Sequence, residues 1–214
     1  MSDTGQIRIA LAQINPTVGD LRKNSDLVSK YAFDAANAGA VVVVYPEMIL
    51  TGYPVEDLAN WPSFRAASIA AVSELAQRIN NEGNGDLTLL VGYLGQSESG
   101  RPQNCVAVIY RGEIVATYIK HHLPNYGVFD EYRNFAPGNH SLVVRVAGVD
   151  IGVAICEDIW QSGGPVAELA KRNIGLLLVP NGSPFEANKD DARLALVQQR
   201  AIELSAPLAY VNMT

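Results

Sequence analysis

Several features that mark common classes of protein are scarce or missing in this sequence of 214 residues. It contains only two cysteines, Cys105 and Cys156, too few for a disulfide framework and typical of a reducing compartment. No apolar run approaches the ~18 residues that a membrane-spanning helix needs, and the polar residues 1–6 do not resemble a signal peptide. We therefore predict a cytoplasmic protein that does not enter a membrane.

Basic residues are also few. The 16 Lys and Arg residues are scattered along the chain, and 22 Asp and Glu residues outnumber them, which gives a net charge of −6. The pI is about 5.0. A protein that binds nucleic acid or an anionic membrane usually carries a basic stripe, so the sequence predicts neither partner.

Metal-binding and phosphate-binding motifs are missing as well. His121 and His122 are adjacent and would point to opposite sides of an extended chain, and His140 has no carboxylate or thiol at ligand spacing. The sequence has no glycine-rich phosphate loop and no Gly-x-Ser-x-Gly turn. We expect neither a metal nor a cofactor in this part of the protein.

What the sequence does contain is an alternation of short apolar runs and amphipathic segments. This alternation predicts an α/β fold in one large domain, or in one piece of a longer polypeptide. Hydrophobic residues make up 48% of the chain, which is enough for a sizeable core. The pattern predicts strands at 7–14, 41–45, 87–93, 104–110, 113–118, 151–155, 175–179 and 208–213, and helices at 24–38, 63–79, 165–171 and 187–205.

Three chemically reactive side chains follow three of the predicted strands. Glu47 comes after the valine run, Lys120 after the second strand of a hairpin, and Cys156 after the apolar run 151–155. Taken singly, each has an ordinary explanation: a solvated loop carboxylate, a surface lysine and a small buried thiol. Because strand ends form the usual edge for a site in an α/β protein, the sequence predicts that all three lie at that edge.

The segments around these three side chains resemble the Glu-Lys-Cys motifs of the nitrilase superfamily. The matching segments are 45–48 (YPEM), 118–124 (YIKHHLP) and 155–160 (ICEDIW). Segments 11–20 (LAQINPTVGD), 50–58 (LTGYPVEDL) and 125–131 (NYGVFDE) are similar, within that superfamily, to the amino-terminal glutaminase domains of glutamine-dependent NAD synthetases. The resemblance covers essentially the whole chain and implies a four-layer αββα sandwich.

The resemblance also implies an amide-hydrolysing site. Hydrolysis of an amide by a thiol needs a nucleophile, a proton carrier and a charge that holds the tetrahedral oxyanion. The motifs assign these roles to Cys156, Glu47 and Lys120 respectively, with Lys120 also favouring the thiolate, and they make Glu131 a second glutamate that orients Lys120.

Five further residues match the family's glutamine-holding positions: Tyr126, Glu157, Trp160, Ser183 and Lys189. Glu157 suits the α-ammonium of L-glutamine, and Lys189 suits its α-carboxylate. A packing or surface role is the alternative for each of them. Ser183, for example, also fits as an ordinary member of the Asn-Gly-Ser-Pro turn.

Partners are implied by the same resemblance. Domain 1–214 would supply ammonia to a synthetase domain of the same polypeptide, which would bind ATP and Mg²⁺ and amidate deamido-NAD; we also expect a homo-oligomer. Because the sequence ends within a predicted strand, we expect the last strands of the sandwich and the synthetase domain to lie outside it. Two alternatives stay open: a stand-alone amidase acting on another small amide, and a noncatalytic domain that scaffolds an oligomer.

Overall fold

The computed structural model of the chain describes residues 6–127, 129–184 and 190–214. Its strands are β1 (Ile9–Leu11), β2 (Val42–Val44), β3 (Thr88–Gln96), β4 (Pro102–Tyr110), β5 (Glu113–Ile119), β6 (Leu142–Val146), β7 (Val149–Val153), β8 (Leu176–Pro180) and β9 (Leu208–Val211). Its α-helices are α1 (Leu21–Asn37), α2 (Pro62–Ile79), α3 (Glu131–Asn134), α4 (Gly164–Ala170) and α5 (Asp190–Leu204).

The strands form two sheets. The first has the order β1-β2-β3-β4-β5, with β1, β2 and β3 parallel and the β3-β4-β5 meander antiparallel. The second has the order β6-β7-β8-β9, with an antiparallel β6-β7 hairpin followed by parallel pairing of β7, β8 and β9.

The two sheets pack face to face, and helices cover their outer faces. Along β2, Val42 and Val44 pack between the sheets, whereas Val43 packs in a cluster with residues of α1 and α2. The same alternation in β8 places Leu177 against α4 and α5. Strands buried on both faces are apolar at every position, which is why these runs are continuous rather than alternating. The layers confirm the predicted αββα sandwich.

Most predicted elements are present with shifted ends, and three local departures from the prediction are larger. Strand β1 has three residues rather than the eight expected at 7–14, because the N–H of Gln13 turns back to the carbonyl of Leu11. Segment 121–135, expected to be irregular throughout, contains the short helix α3. Strand β6 was not predicted, since it is only partly buried and Arg145 interrupts its apolar run. Of helix 187–205, residues 187–189 lie outside the described residues.

Close backbone contacts join the sheets at the edge where Glu47 lies. The N–H of Glu47, which follows β2, donates to the carbonyl of Asn181 after β8 at 3.2 Å. Gly92 of β3 lets the segment around Glu47 lie against the strand, because a Cβ there would come within 2.3 Å of the backbone nitrogen of Met48. The turn that carries Glu47 is therefore fixed by both sheets.

Candidate active site

Lys120 lies between two glutamates in the interior of the protein. Its Nζ is 2.7 Å from Oε1 of Glu47 and 2.8 Å from Oε2 of Glu131, and all three side chains are almost completely buried. The ammonium also lies 5.9 Å from the centre of the Tyr53 ring. A surface position, the ordinary explanation for a lone lysine, is ruled out because Lys120 is fully buried.

Charge balance keeps this lysine protonated. Burial alone would lower the pKa of the Lys120 ammonium, but the carboxylates of Glu131 and Glu47 outweigh it, so its pKa is well above the usual value. The pKa of Glu131 is shifted by its burial and by the charges of Lys120 and Glu47. Burial raises the pKa of Glu131, Lys120 opposes that rise, and the neighbouring charge of Glu47 adds to it.

The two carboxylate oxygens of Glu47 have different surroundings. Oε1 accepts from Nζ of Lys120 at 2.7 Å and from Nδ2 of Asn104 at 2.7 Å. Oε2 is buried and has no hydrogen-bond partner among the residues that the structure describes. A Cβ on Gly182 would lie 3.1 Å from Oε2, so this oxygen faces the turn that follows β8. One oxygen is held, and the other is available to accept a proton.

Cys156 begins the 3₁₀ turn Cys156–Ile159 that follows β7. Its φ of 44° lies in the left-handed region, which is strained for a residue with a side chain and is common at functional turns. The side chain is buried, and Sγ lies 3.4 Å from Oγ of Ser183. The turn thus presents the thiol at the end of a strand, as the sequence predicted.

The thiol of Cys156 is neutral at rest. Burial raises its pKa most, the charge of Glu47 raises it further, and Lys120 lowers it without cancelling either effect. The expectation that Lys120 favours the thiolate therefore has the right sign for that pair, but the net shift goes the other way. A base must remove the proton as the thiol reacts.

A third carboxylate, Asp158, ties the lysine segment to the cysteine turn. It is fully buried and accepts hydrogen bonds from the Tyr118 hydroxyl and the backbone N–H groups of His121, His122 and Ile155, at 2.7, 3.1, 2.7 and 2.9 Å. Burial raises the pKa of Asp158, and these donors oppose the rise. The residues on either side of Lys120 and the residue before Cys156 thus share one anchor.

The predicted glutamine-holding residues are only partly brought together. Glu157 is buried beside Cys156, and its Oε2 accepts from the hydroxyl of Tyr126 at 2.6 Å, although half of the Tyr126 side chain is exposed. Ser183 contacts the thiol. Trp160 is partly buried and packs against the apolar cluster beneath α4 and α5. Lys189 lies outside the described residues.

An open cleft of about 440 Å³ adjoins this arrangement. Its lining includes Tyr53, Phe129, Ser183 and Arg193. The rings of Tyr53 and Phe129 stack with centroids 6.3 Å apart, which gives one wall an aromatic surface. A larger groove of about 800 Å³ between α1 and α2 contains none of the candidate residues. The smaller cleft reaches Ser183, whose Oγ lies 3.4 Å from Sγ of Cys156.

Among residues 6–127, 129–184 and 190–214, no group of three or more His, Cys, Asp and Glu side chains is arranged to hold a metal ion. Within the same residues, no helix has the length and apolar character needed to cross a membrane.

Sequence reasoning missed three residues of this site: Tyr53, Asn104 and Asp158. The Tyr53 hydroxyl donates to Oε1 of Glu131 at 2.8 Å. A polar residue inside the apolar run of β4 was the available signal for Asn104, and an acid directly after Cys-Glu was the signal for Asp158. Neither signal identifies the partners, because most of them lie tens of residues away in the sequence.

Comparison with known sequences yields a family and a set of relatives. The sequence model of the carbon-nitrogen hydrolase family matches residues 8–214. Glutamine-dependent NAD(+) synthetases of Thermotoga maritima and Acinetobacter baylyi are 38% identical over 210 residues and 36% identical over 205 residues. These alignments cover 97% and 96% of this chain but 35% and 37% of the relatives. The chain therefore spans little more than a third of the length of these relatives.

Solved structures give the same fold. The glutamine-dependent NAD+ synthetase from Acinetobacter baumannii, in complex with ADP, matches with a TM-score of 0.88 and 33% identity, over 97% of this chain and 38% of that one. A mutant of the amidase from Nesterenkonia sp. AN1, with acrylamide added at its active-site cysteine, matches with a TM-score of 0.82 and 25% identity. That match covers 97% of this chain and 79% of the amidase.

Proposed function

The chain belongs to the carbon-nitrogen hydrolase family, and on that basis we propose that it hydrolyses the side-chain amide of L-glutamine. The ammonia would pass to a synthetase domain that amidates deamido-NAD. The observation that carries this proposal is the buried Lys120, held between Glu47 and Glu131 beside the Cys156 thiol. The relatives that share 36–38% identity over nearly the whole chain support glutamine as the substrate.

The first half of the proposed reaction forms a thioester. Sγ of Cys156 attacks the amide carbon as its proton moves to Oε2 of Glu47, the oxygen to which no described residue donates. The oxyanion that forms is held by the Lys120 ammonium and by the backbone N–H of Glu157, the residue after the nucleophile. Glu47 then returns the proton to the amide nitrogen, the carbon–nitrogen bond breaks, and ammonia leaves.

The second half releases glutamate. Glu47, again a carboxylate, takes a proton from a water molecule whose oxygen attacks the thioester carbon. The new tetrahedral intermediate occupies the same oxyanion site beside Lys120. The carbon–sulfur bond breaks, and the proton returns from Glu47 to Sγ. No atom of the enzyme is consumed in the cycle, and no metal or cofactor takes part in either half.

Recognition of the amino-acid end of glutamine is assigned to groups around the cleft. Glu157, a buried carboxylate already engaged by Tyr126, suits the α-ammonium. Ser183 lies between the cleft and the thiol and suits a polar contact near the reacting amide. Lys189 is proposed for the α-carboxylate and Trp160 for a packing contact, both from the family resemblance alone.

The proposed partner is a synthetase domain that continues the same polypeptide, since the relatives are nearly three times as long as this chain. ATP and Mg²⁺ would be needed only by that domain. Both cysteines of this chain are free thiols, which supports a reducing cytoplasm as its compartment. A homo-oligomer is proposed from the family resemblance.

A stand-alone amidase is the second candidate, because the Nesterenkonia amidase shares the fold over most of its own length. Its hydrolytic steps would be the same and only the substrate would differ. Comparing kcat/KM for L-glutamine with that for small aliphatic amides separates the two. A clear preference for the aliphatic amides would replace glutamine in the proposal. A purely scaffolding role has no support in the site, because it does not require a buried charge cluster.

The proposal is tested by replacing Cys156 with Ser in the protein made from its full natural coding sequence. We expect ammonia release from glutamine to fall by about 10³-fold or more, and NAD formation from deamido-NAD to survive when ammonium replaces glutamine. Cys105→Ala is the matched control: Cys105 is equally buried but lies in β4, so only a packing cost of about 1 kcal/mol is expected. Glutamine hydrolysis at the wild-type rate by Cys156→Ser would refute the assignment.

A further inference from the structure

Asn104 is a buried polar residue in the middle of the charge cluster. It lies in β4, is 1% exposed, and uses one side-chain amide nitrogen for two carboxylates. Nδ2 lies 2.7 Å from Oε1 of Glu47 and 3.4 Å from Oε1 of Glu131. An amide NH₂ group has two hydrogens, so a single asparagine can donate to both glutamates.

The backbone of the same residue holds the lysine. The N–H of Lys120 donates to the carbonyl of Asn104 at 2.9 Å. Asn104 therefore fixes the main chain at Lys120 and the side chain of Glu47 from one position on one strand. No other described residue contacts all three of Glu47, Lys120 and Glu131 through the hydrogen bonds and ion pairs given above.

The stability of the fold does not explain an asparagine here. Its Oδ1 is buried and has no hydrogen-bond partner among the described residues. A buried unsatisfied acceptor is destabilising, and a leucine of similar volume would avoid that cost at this buried position. The cost of the unsatisfied Oδ1 has to be compensated by the side-chain NH₂ group, which faces the two glutamates.

We propose that Asn104 is a positioning residue that holds Oε1 of Glu47, so that Oε2 alone is presented to the Cys156 thiol. The inference rests on the proposed function, because it takes Glu47 as the proton carrier. Lys120 by itself could pair with either oxygen of Glu47 by a small rotation of the carboxylate. A second donor on Oε1 removes that freedom, and the orphaned Oε2 is left facing the turn of Gly182 and Ser183.

Several titratable groups surround this carboxylate, and any pH effect belongs to the whole cluster. The groups that interact electrostatically with Glu47 are Lys120 after β5, Glu131 of α3, Cys156 after β7, Tyr53 before the 3₁₀ turn at 56–60, and Tyr210 of β9. Asn104 contacts two of these groups, Glu47 and Glu131, and does not itself titrate. Replacing it changes the hydrogen bonding of the two glutamates without adding or removing a charge.

The test uses Asn104→Leu in the protein made from its full coding sequence, with Gln103→Leu as a matched control on the neighbouring position of β4. We expect kcat for glutamine hydrolysis to fall about 10²-fold in Asn104→Leu with little change in KM, because the base is misplaced while the cleft is intact. Loss of a donor to charged carboxylates also moves the acidic limb of the kcat/KM profile to higher pH. A structural defect alone would lower the active fraction and leave the pH profile in place.

A second variant and a substrate-free measurement make the result decisive. Asn104→Asp keeps the shape but donates only when protonated, so its activity should recover partly as the pH falls. Infrared difference titration of the buried carboxyl groups should show the same upward shift in Asn104→Leu and none in Gln103→Leu. If wild-type protein hydrolyses no glutamine but the infrared shift is present, the proposed substrate is wrong, whereas the hydrogen bonding of Asn104 to the two glutamates is supported. A wild-type kcat, or an unmoved pH profile and infrared midpoint in Asn104→Leu, overturns the inference.

Discussion

Replacing Asp158 with Asn tests whether one buried carboxylate holds the two halves of the site together. Oδ1 of Asp158 accepts from two backbone N–H groups directly after Lys120. Oδ2 accepts from the Tyr118 hydroxyl and from the N–H of the residue before Cys156. If this carboxylate is the anchor, an isosteric change that weakens it should loosen both segments and slow the reaction that needs them in register.

The expected loss of stability in Asp158→Asn follows from the number of hydrogen-bond donors that lose their acceptor. Asparagine offers one oxygen, and when that oxygen faces the N–H groups of His121 and His122, its NH₂ faces Ile155 and Tyr118. The Tyr118 hydroxyl can rotate and accept, whereas the N–H of Ile155 loses its acceptor. One unsatisfied buried donor costs about 1–3 kcal/mol, and the opposite orientation would leave two. The smaller desolvation cost of a neutral side chain is offset by the weaker hydrogen bonds that it accepts, so a loss of about 1–3 kcal/mol in local stability is expected.

Hydrogen exchange followed by mass spectrometry measures this loss where it should occur. A change of 1–3 kcal/mol corresponds to about a 5- to 150-fold loss of protection, expected in segments 118–123 and 154–158. We also expect kcat to fall by about 10²-fold, because both the lysine and the cysteine segments shift. The control is Asp86→Asn, which removes an exposed ion pair with Arg111. Unchanged protection in both segments together with a wild-type kcat would refute the anchoring role.

Two further predictions concern the thiol and metal ions. Alkylation of resting Cys156 by iodoacetamide should rise about tenfold per pH unit from about pH 7 to beyond pH 9, because a raised pKa keeps the thiolate fraction small; a plateau near neutral pH would mean that Lys120 prevails. Cys105, whose pKa burial raises to about 12, should react slowly over the same range. Glutamine hydrolysis should survive EDTA when ammonia release is assayed without the synthetase reaction. A loss of activity that added zinc reverses would contradict the prediction that the histidines bind no metal ion.

The layers of the fold could be predicted from the sequence because burial on both faces leaves a strong signal. Strands β2 and β8 are apolar at every position, and a reactive or turn-forming residue follows each of them. The hairpin of β4 and β5 was equally readable, since Arg111 and Gly112 both take the left-handed conformation that a two-residue turn requires. These local signals were enough to place Glu47, Lys120 and Cys156 at strand ends.

The register within that hairpin could not be predicted. Near the turn Tyr110 pairs with Glu113 and Ile109 with Ile114, and an unbroken ladder would pair Asn104 with Ile119. An irregularity at Val108/Ile109 shifts the pairing by one residue, so that Cys105 pairs with Ile119 instead. A one-residue shift exchanges the faces of a strand, and here it brings Lys120 opposite Asn104. Nothing in the alternation of residues 113–118 marks this bulge, yet the charge cluster depends on it.

The charge balance of the cluster explains why a neutral thiol suits the proposed reaction. Two carboxylates and one ammonium already leave a net negative charge in a buried site, so a resting thiolate would add a second. When Sγ attacks and Glu47 takes its proton, Glu47 becomes neutral at the moment the oxyanion becomes negative. The net charge of the site does not change, and the Lys120 ammonium, no longer paired with a charged Glu47, is free to stabilise the oxyanion. Lys120 can therefore pair with Glu47 in the resting state and stabilise the oxyanion in the intermediate. Glu131 holds Lys120 in place in both states.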